Sequence, residues 1–186
     1  LEPLLEDLAD SLDVPPSKYE DAKTHYGAVG QWLHGDGSVL AKYDPDVMPQ
    51  GSFALGTAVR PVGDDHYDVD ALCLLKRPPP GLTQELLKGM VGHRLKEHKT
   101  YERLLKPKEG GRRCWTLEYA DGSQFHLDVC PAIPDDYSWL ISQGVPPQYA
   151  KHAVCITDKT TWNQPSYWPR SNPIGYVVWF KDRMKV

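Results

Sequence analysis

The stretch QGSFALGTAVRPVGDDHYDVDALCLL, Gln50 to Leu75, decides the fold of this chain. Its second half, YDVDALCLL, alternates as a β-strand does, so that Asp68 and Asp70 share one face and the apolar residues Val69, Ala71, Cys73 and Leu75 share the other. Aspartate is depleted from strands, and two like charges on one face repel each other. A divalent cation would offset that repulsion, because magnesium and manganese select hard oxygen ligands. For such a pair alone, an edge strand with a solvated acidic face is the commoner explanation.

A predicted hairpin supplies a third carboxylate. The segment RRCWTLEYADGSQFHLDVCPAI, residues 112–133, contains two alternating runs joined at Asp121-Gly122, a dipeptide typical of tight hairpin turns. On the second run His126 and Asp128 share one face, opposite Phe125, Leu127 and Val129. If this strand lies beside YDVDALCLL, three carboxylates converge, and a solvated acidic face no longer explains them, because unpaired charges gathered at one site are costly.

Length and composition predict one globular domain. The chain has 186 residues, of which 40% are hydrophobic and 25% charged, a balance typical of a folded protein with a sizeable core. No apolar run approaches the length of a membrane span and no signal-peptide pattern precedes the first helix, so we expect a soluble, cytoplasmic protein without membrane contact. The four cysteines are widely spaced and form no CxxC pair, which favours reduced, buried thiols over a disulfide framework or a zinc site.

Helices are predicted around the strands. LEPLLEDLADSL reads as a short amphipathic helix, and the capping box Ser17 to Glu20 predicts the start of a second helix. A strand is predicted near Asp46 to Pro49, followed by a Gly51-Ser52 turn and an extended segment FALGTAVRP. Two further helices are predicted: one from Thr83 to about Leu105 with Leu86, Leu87, Met90, Val91 and Leu95 facing inward, and one with Pro173 at its first position, capped by Asn172 or Ser171.

The charge is uneven along the chain. The stretch Arg94 to Arg113 holds eight Lys and Arg against three Glu, so it carries +5 within a chain whose net charge is -4. Such a stretch can contact phosphate groups or nucleic acid. The solvated face of a helix is the commoner meaning of a run of charges.

The ordered set QGSFALGT, DVD and HLDVCPAIP resembles the nucleotidyltransferase superfamily that includes DNA polymerase beta, and within it the bacterial cyclic GMP-AMP synthase-like enzymes called CD-NTases. YEDAKTHYGAVGQWL before this core and WPRSNPIGYVVWF after it resemble the same group, so the resemblance extends over nearly the whole chain. The resemblance implies an α/β (α+β) fold, a polymerase beta-like core with a mixed sheet flanked by helices, over residues 1–186. It also implies a C-terminal helical domain, which we expect to be absent or truncated after residues 173–186.

The resemblance also implies chemistry and residue roles. Asp68, Asp70 and Asp128 would be the catalytic residues and would hold two Mg²⁺ or Mn²⁺ ions, and Gly51 and Ser52 would bind the triphosphate of ATP, GTP or another NTP. The implied function is metal-dependent synthesis of a cyclic di- or oligonucleotide second messenger in bacterial antiphage signalling, where a downstream effector recognises the product. Two alternatives stay open: transfer of a nucleotide to a protein, an RNA end or a small molecule, and a catalytically inactive nucleotide- or RNA-binding module.

Overall fold

A computed structural model describes residues 2–63, 65–119 and 125–185 of the chain. The helices are α1 (Glu2–Leu12), α2 (Pro16–His34), α3 (Gly51–Leu55), α4 (Gln84–Glu97), α5 (Lys99–Leu104), α6 (Tyr137–Ser142), α7 (Pro147–Ala150) and α8 (Pro173–Arg183). The strands are β1 (Pro45–Pro49), β2 (Tyr67–Leu75), β3 (Trp115–Tyr119), β4 (Phe125–Pro134), β5 (Val154–Ile156) and β6 (Arg170–Ser171). This is the mixed α/β architecture that was expected.

One mixed sheet organises the fold. Its order is β1-β2-β4-β5-β6, and β3 also pairs with β4. The pair β2 and β4 is parallel, whereas the other pairs are antiparallel. β3 lies along the first half of β4 and β5 along its last residues, so both flank β4 on the side away from β2. The predicted hairpin is therefore β3 and β4, while its Asp121-Gly122 turn lies outside the described residues.

The two faces of the sheet differ in how they are covered. One face packs under α2 and α4 in the main hydrophobic core, which takes the odd-numbered residues Tyr67, Val69, Ala71, Cys73 and Leu75 of β2. The other face carries a smaller apolar cluster made of Leu72, Cys130, Ala132, Val154 and Ile156. Because alternate strand residues point to opposite faces, Asp68, Asp70 and Asp128 lie on the face of this smaller cluster.

Two local expectations in the part of the chain that precedes β2 were wrong. Residues 51–55 of the predicted turn and extended segment form the short helix α3, which ends at Gly56 in the left-handed conformation. The reason is tertiary, because the Phe53 ring packs against Tyr19, Tyr67 and Phe125, and a helical turn holds it there. The capping box at Ser17 is also wrong: α2 begins at Pro16, without a side-chain cap. Proline is well suited to that first position because its φ is already helical.

The helix predicted from Thr83 to Leu105 is two helices. Thr83 caps α4 by accepting a hydrogen bond from the Leu86 N–H, and the extended His98 separates α4 from α5. The Leu86 side chain is exposed, contrary to expectation, whereas Leu87, Val91 and Leu95 are fully buried and Met90 packs at the edge of the core. Asn172 caps α8, as predicted. No helix among residues 2–63, 65–119 and 125–185 has the length and apolar character needed to cross a membrane.

Candidate active site

The parallel pairing of β2 and β4 brings the three aspartates together. Asp70 lies directly beside Asp128 in the register. Two residues earlier on each strand, and on the same face, Asp68 lies beside His126. Neighbouring strands are about 4.8 Å apart, so side chains on one face of such a pair are immediate neighbours. The structure thus places two carboxylates of one strand against the carboxylate of the next.

The pKa values of Asp68 and Asp70 reflect this proximity. Burial and the charges of Asp68 and Asp128 raise the pKa of Asp70 from 3.8 to about 6. The pKa of Asp68 is also raised, first by burial and then by Asp128, while His126 acts in the opposite direction. Burial and the neighbouring carboxylates therefore disfavour the ionised forms of Asp68 and Asp70.

Gly51 touches the acidic cluster. Its φ is +62°, and a Cβ atom built on it would come close to the Oδ2 atom of Asp70, nearer than side-chain carbons approach other atoms in proteins. The Gln50 N–H donates a 2.8 Å hydrogen bond to the Asp70 carbonyl, which fixes the start of α3 against β2. Only glycine combines this backbone conformation with so close an approach, so Gly51 and Ser52 are held beside the carboxylates.

Thr116 on β3 orients Asp128 from the other side. Thr116 lies opposite Asp128 in the antiparallel register, and its hydroxyl donates a 2.5 Å hydrogen bond to Asp128 Oδ1. The bond occupies one carboxylate oxygen and limits rotation of the group. Sequence reasoning missed this residue, although its place in the alternation of WTLEY assigns it to the face of Asp128 once the register is known.

Two cavities flank the cluster. A cavity of about 530 Å³ lies on the α3 side, and Ser52, His66, Asp68 and His126 contribute to its lining. A second cavity of about 290 Å³ lies on the β3 side and is lined by Gly111, Arg112, Arg113, Cys114, Thr116 and Asp128. The carboxylates thus lie between two cavities, one lined by Ser52 and the other by Arg112 and Arg113.

Two buried charged side chains, Asp158 and Lys88, hold the segment that leads into β3. Asp158 is 1% exposed and accepts hydrogen bonds from Nε of Arg112 at 2.8 Å and from Nε of Arg113 at 3.0 Å. These bonds hold the pKa of Asp158 well below its ordinary value. The buried Lys88 of α4 donates to the carbonyls of Arg113 and Cys114 at 2.8 and 3.0 Å, and burial lowers the pKa of Lys88 to about 8. Local sequence patterns predicted neither Asp158 nor Lys88.

The basic stretch 94–113 divides into parts with different roles. Arg94 is buried, stacks on Trp32 at 3.7 Å and bonds to Glu97 at 2.8 Å, so its role is structural. At the other end, Arg112 and Arg113 are half-exposed and line the smaller cavity. The phosphate contact predicted for the stretch therefore stays a prediction for the exposed arginine pair, whereas Arg94 is committed to contacts inside the fold.

The donor set of the cluster fits hard divalent cations. The three carboxylates supply oxygen ligands, and their mutual repulsion is what a bound cation would relieve. Within the described ranges, no group of three or more His, Cys, Asp or Glu side chains is close enough to form a complete metal site by itself. Magnesium is usually held by one or two carboxylates together with substrate phosphates and water, so a complete protein cage is not required.

Comparison with known proteins agrees with this geometry. The family model for the nucleotidyltransferase domain of DncV-like cyclic GMP-AMP synthases matches residues 45–131, which contain all five candidate site residues. A c-di-GMP synthase of Roseivirga ehrenbergii is 29% identical over 182 residues, covering 98% of this chain and 43% of the relative. The cyclic dinucleotide synthase CdnG of Bradyrhizobium diazoefficiens is 26% identical and is matched over 40% of its length. The chain thus spans about two fifths of each of these relatives.

Solved structures show the same fold. The structure of Bradyrhizobium diazoefficiens CdnG in complex with GTP superposes with a TM-score of 0.70 at 25% identity, covering 95% of this chain and 44% of that one. The CdnE c-di-GMP synthase of Capnocytophaga granulosa superposes with a TM-score of 0.60 at 13% identity, covering 92% of this chain and 48% of that one.

Proposed function

We propose that this chain, whose residues 45–131 match the nucleotidyltransferase domain of DncV-like cyclic GMP-AMP synthases, is a CD-NTase and forms the catalytic core of an enzyme that joins ATP or GTP into a cyclic di- or oligonucleotide. In this reaction a ribose hydroxyl of one nucleotide attacks the α-phosphate of another, and pyrophosphate leaves. The observation that carries the proposal is the placement of Asp68, Asp70 and Asp128 on one face of two adjacent parallel strands, with Gly51 against Asp70.

The acidic residues take the roles that their positions allow. Asp68, Asp70 and Asp128 would hold two Mg²⁺ or Mn²⁺ ions, with Asp128 assigned to the side of the attacking hydroxyl. Two such ions, when bound, stabilise the attacking and leaving oxygens of the displacement. Since Thr116 occupies Oδ1 of Asp128, the other oxygen of that carboxylate is the one assigned to ligand contact and to accepting the hydroxyl proton.

The segment Gly51-Ser52 is assigned to the triphosphate. Gly51 has no side chain, so its backbone amide can approach a phosphate oxygen closely, and Ser52 adds a hydroxyl donor. Ser52 also lines the 530 Å³ cavity together with Asp68, and this shared cavity supports the assignment. CdnG, the relative of 25% identity, has been solved in complex with GTP, which supports an NTP as the ligand.

The product is proposed to act as a second messenger. Both curated relatives are named as cyclic dinucleotide synthases. For this protein we propose the same class of product, read by a separate effector in defence against phage. A cyclic product has no terminal phosphate, so an effector can distinguish it from the NTP pool by shape.

Incubation with α-³²P-labelled NTPs and MgCl₂, followed by phosphatase treatment, tests the proposal. A phosphatase-resistant product that carries the label, formed by the wild type and by Asp10→Asn, is the expected result, since Asp10 is an exposed residue of α1. Asp128→Asn should form none. Label transferred to an added RNA, protein or aminoglycoside would instead establish the acceptor alternative. NTP binding without turnover in all three proteins would establish the inactive binding module.

A further inference from the structure

Two cysteines oppose each other at the edge of the candidate active site. The register of β3 and β4 pairs Trp115 with Val129, so one step further along the two chains Cys114 lies opposite Cys130. Both belong to the smaller apolar cluster on the acidic face of the sheet. Cys130 is 4% exposed, whereas Cys114 is partly exposed and lines the 290 Å³ cavity beside Asp128.

We propose that Cys114 and Cys130 form a thiol modification site, which a hydroperoxide oxidises reversibly to a disulfide that switches nucleotidyl transfer off. The modification itself follows from the placement of the two thiols. Its effect on turnover rests on the proposed function.

The chemistry is a two-electron oxidation with hydrogen peroxide as the oxidant. The thiolate of one cysteine attacks a peroxide oxygen, the O–O bond breaks, and a sulfenic acid and one water form after protonation of the leaving hydroxide. The thiol of the second cysteine then attacks the sulfenic sulfur, the S–S bond forms, and a second water leaves. Two thiols and one peroxide thus give one disulfide and two waters, and the cavity at Cys114 provides the access that the oxidant needs.

The coupling to the active site follows from the spacing along the two strands. Thr116 lies two residues after Cys114, Asp128 lies two residues before Cys130, and the hydroxyl of Thr116 bonds to Asp128 Oδ1. Opposed residues of antiparallel strands have Cβ atoms about 4.5–5.5 Å apart, whereas a disulfide requires about 3.8 Å. Closing the bond therefore draws the strands together by about 1 Å at this point.

The movement reaches Asp128 through the bond from Thr116. Lys88 donates hydrogen bonds to the carbonyls of Arg113 and Cys114, and the Thr157 hydroxyl donates to the carbonyl of Arg113. The chain at Cys114 is anchored by these bonds and β4 is held by its pairing with β2, so closing the disulfide distorts the contact between Thr116 and Asp128 that joins the two strands. A displacement of about 1 Å at a catalytic group can lower a rate by on the order of a hundredfold.

The other two cysteines provide internal comparisons. Cys73 is fully buried and faces the main core, on the opposite side of the sheet. Cys155 lies on β5, in register with Ile133, with no cysteine opposite it. Neither is positioned to pair with Cys114 or Cys130 across neighbouring strands, so the proposal concerns one pair only.

Peroxide titration with mass spectrometry tests the site. The protein is treated with a small excess of hydrogen peroxide, quenched with iodoacetamide and digested with trypsin. Cys114 and Cys130 fall in a single peptide, residues 114–151, because no Lys or Arg lies between Cys114 and Lys151. We expect this peptide to lose two hydrogen atoms and to accept no iodoacetamide until dithiothreitol is added, while the peptides of Cys73 and Cys155 stay alkylated. A 114–151 peptide that remains a dithiol, or that carries only sulfinic acid, would overturn the proposal.

Activity measured on the same samples tests the switch. Turnover of the wild type should fall by on the order of a hundredfold and return with dithiothreitol. Cys114→Ser and Cys114→Ala should keep their turnover in peroxide, whereas the matched control Cys155→Ser should be inhibited as the wild type is. A disulfide that leaves turnover unchanged, or equal inhibition of the Cys114 variants, would refute the switch. A protein without turnover before oxidation would contradict the proposed function, and the peptide measurement would still decide the modification site.

Discussion

Replacing Asp70 with asparagine should stabilise the metal-free protein at neutral pH. The side chain keeps its size, and the hydrogen bond from the Gln50 N–H is retained because it is made to the backbone carbonyl of residue 70. What is lost is a negative charge placed between Asp68 and Asp128. Since burial and those charges disfavour ionisation of Asp70, the wild-type folded state is penalised whenever Asp70 is ionised.

The magnitude follows from the pKa of Asp70, which is raised from 3.8 to about 6. Between these values the folded state holds a proton that the unfolded state has released, so stability falls as the pH rises and the loss is complete above the folded pKa. Each pH unit corresponds to about 1.4 kcal/mol, or about 3 kcal/mol in full, and partial exposure of the carboxylate reduces this to about 1–2 kcal/mol. Asparagine avoids the loss.

Urea unfolding at pH 4 and pH 8, with EDTA present, measures this effect. At pH 8 the midpoint of Asp70→Asn should exceed that of the wild type by about 0.5–1 M, given a slope of about 2 kcal/mol per molar urea. At pH 4 the two midpoints should nearly coincide, because Asp70 is then protonated in the folded state. Asp10→Asn, an exposed carboxylate of α1, should show no such gain. Adding MgCl₂ at pH 8 should narrow the difference, since a bound cation stabilises the wild type by mass action.

The reasoning is refuted if Asp70→Asn is less stable than the wild type at pH 8. That result would show that the carboxylate makes a structural ion pair in the folded state. An equal gain at pH 4 and pH 8 would also refute it, because a gain independent of ionisation cannot come from charge repulsion.

Three further substitutions test other parts of the site. Gly51→Ala should lower turnover by on the order of a hundredfold, because the new methyl group displaces the Asp70 carboxylate. The control is Gly56→Ala, at a position with φ of +75° and open space around it. This control should cost only about 1–2 kcal/mol of folding stability and leave turnover nearly unchanged. Thr116→Val should lower kcat by about tenfold, the equivalent of one lost hydrogen bond to Asp128, with a single cooperative urea transition as the sign that the fold is intact. Asp158→Asn should lower the free energy of unfolding by about 1–3 kcal/mol at pH 7. The difference should shrink as the pH falls below 4, because the lowered pKa of Asp158 stabilises the fold only at a pH where this carboxylate is ionised in the unfolded chain. Equal midpoints of wild type and Asp158→Asn at pH 7 would contradict the last expectation.

Local pattern predicted the elements that carry the site. The alternation in YDVDALCLL and in FHLDVCPAIP assigned the carboxylates to one face of each strand, and the structure has both strands with that orientation. Such patterns work because the period of a strand is a property of the backbone and does not depend on distant residues. Where a short segment is held by distant contacts, local pattern failed: residues 51–55 became a helix because Phe53 packs into an aromatic cluster drawn from three other elements.

The sequence by itself determined which residues could form an acidic site, through aspartates in strands, a glycine-serine pair before them and a hairpin after them. The tertiary structure decided that they do meet. The parallel register that sets Asp70 beside Asp128, the contact of Gly51 with Asp70 and the bond from Thr116 to Asp128 all join segments far apart in the chain. Register is set by how whole faces pack against α2 and α4, and burial gives Lys88, Arg94 and Asp158 their roles as internal charges. The local periodicity of the sequence contains neither the strand register nor the burial of these charges, because both depend on which surfaces are buried when distant segments pack together.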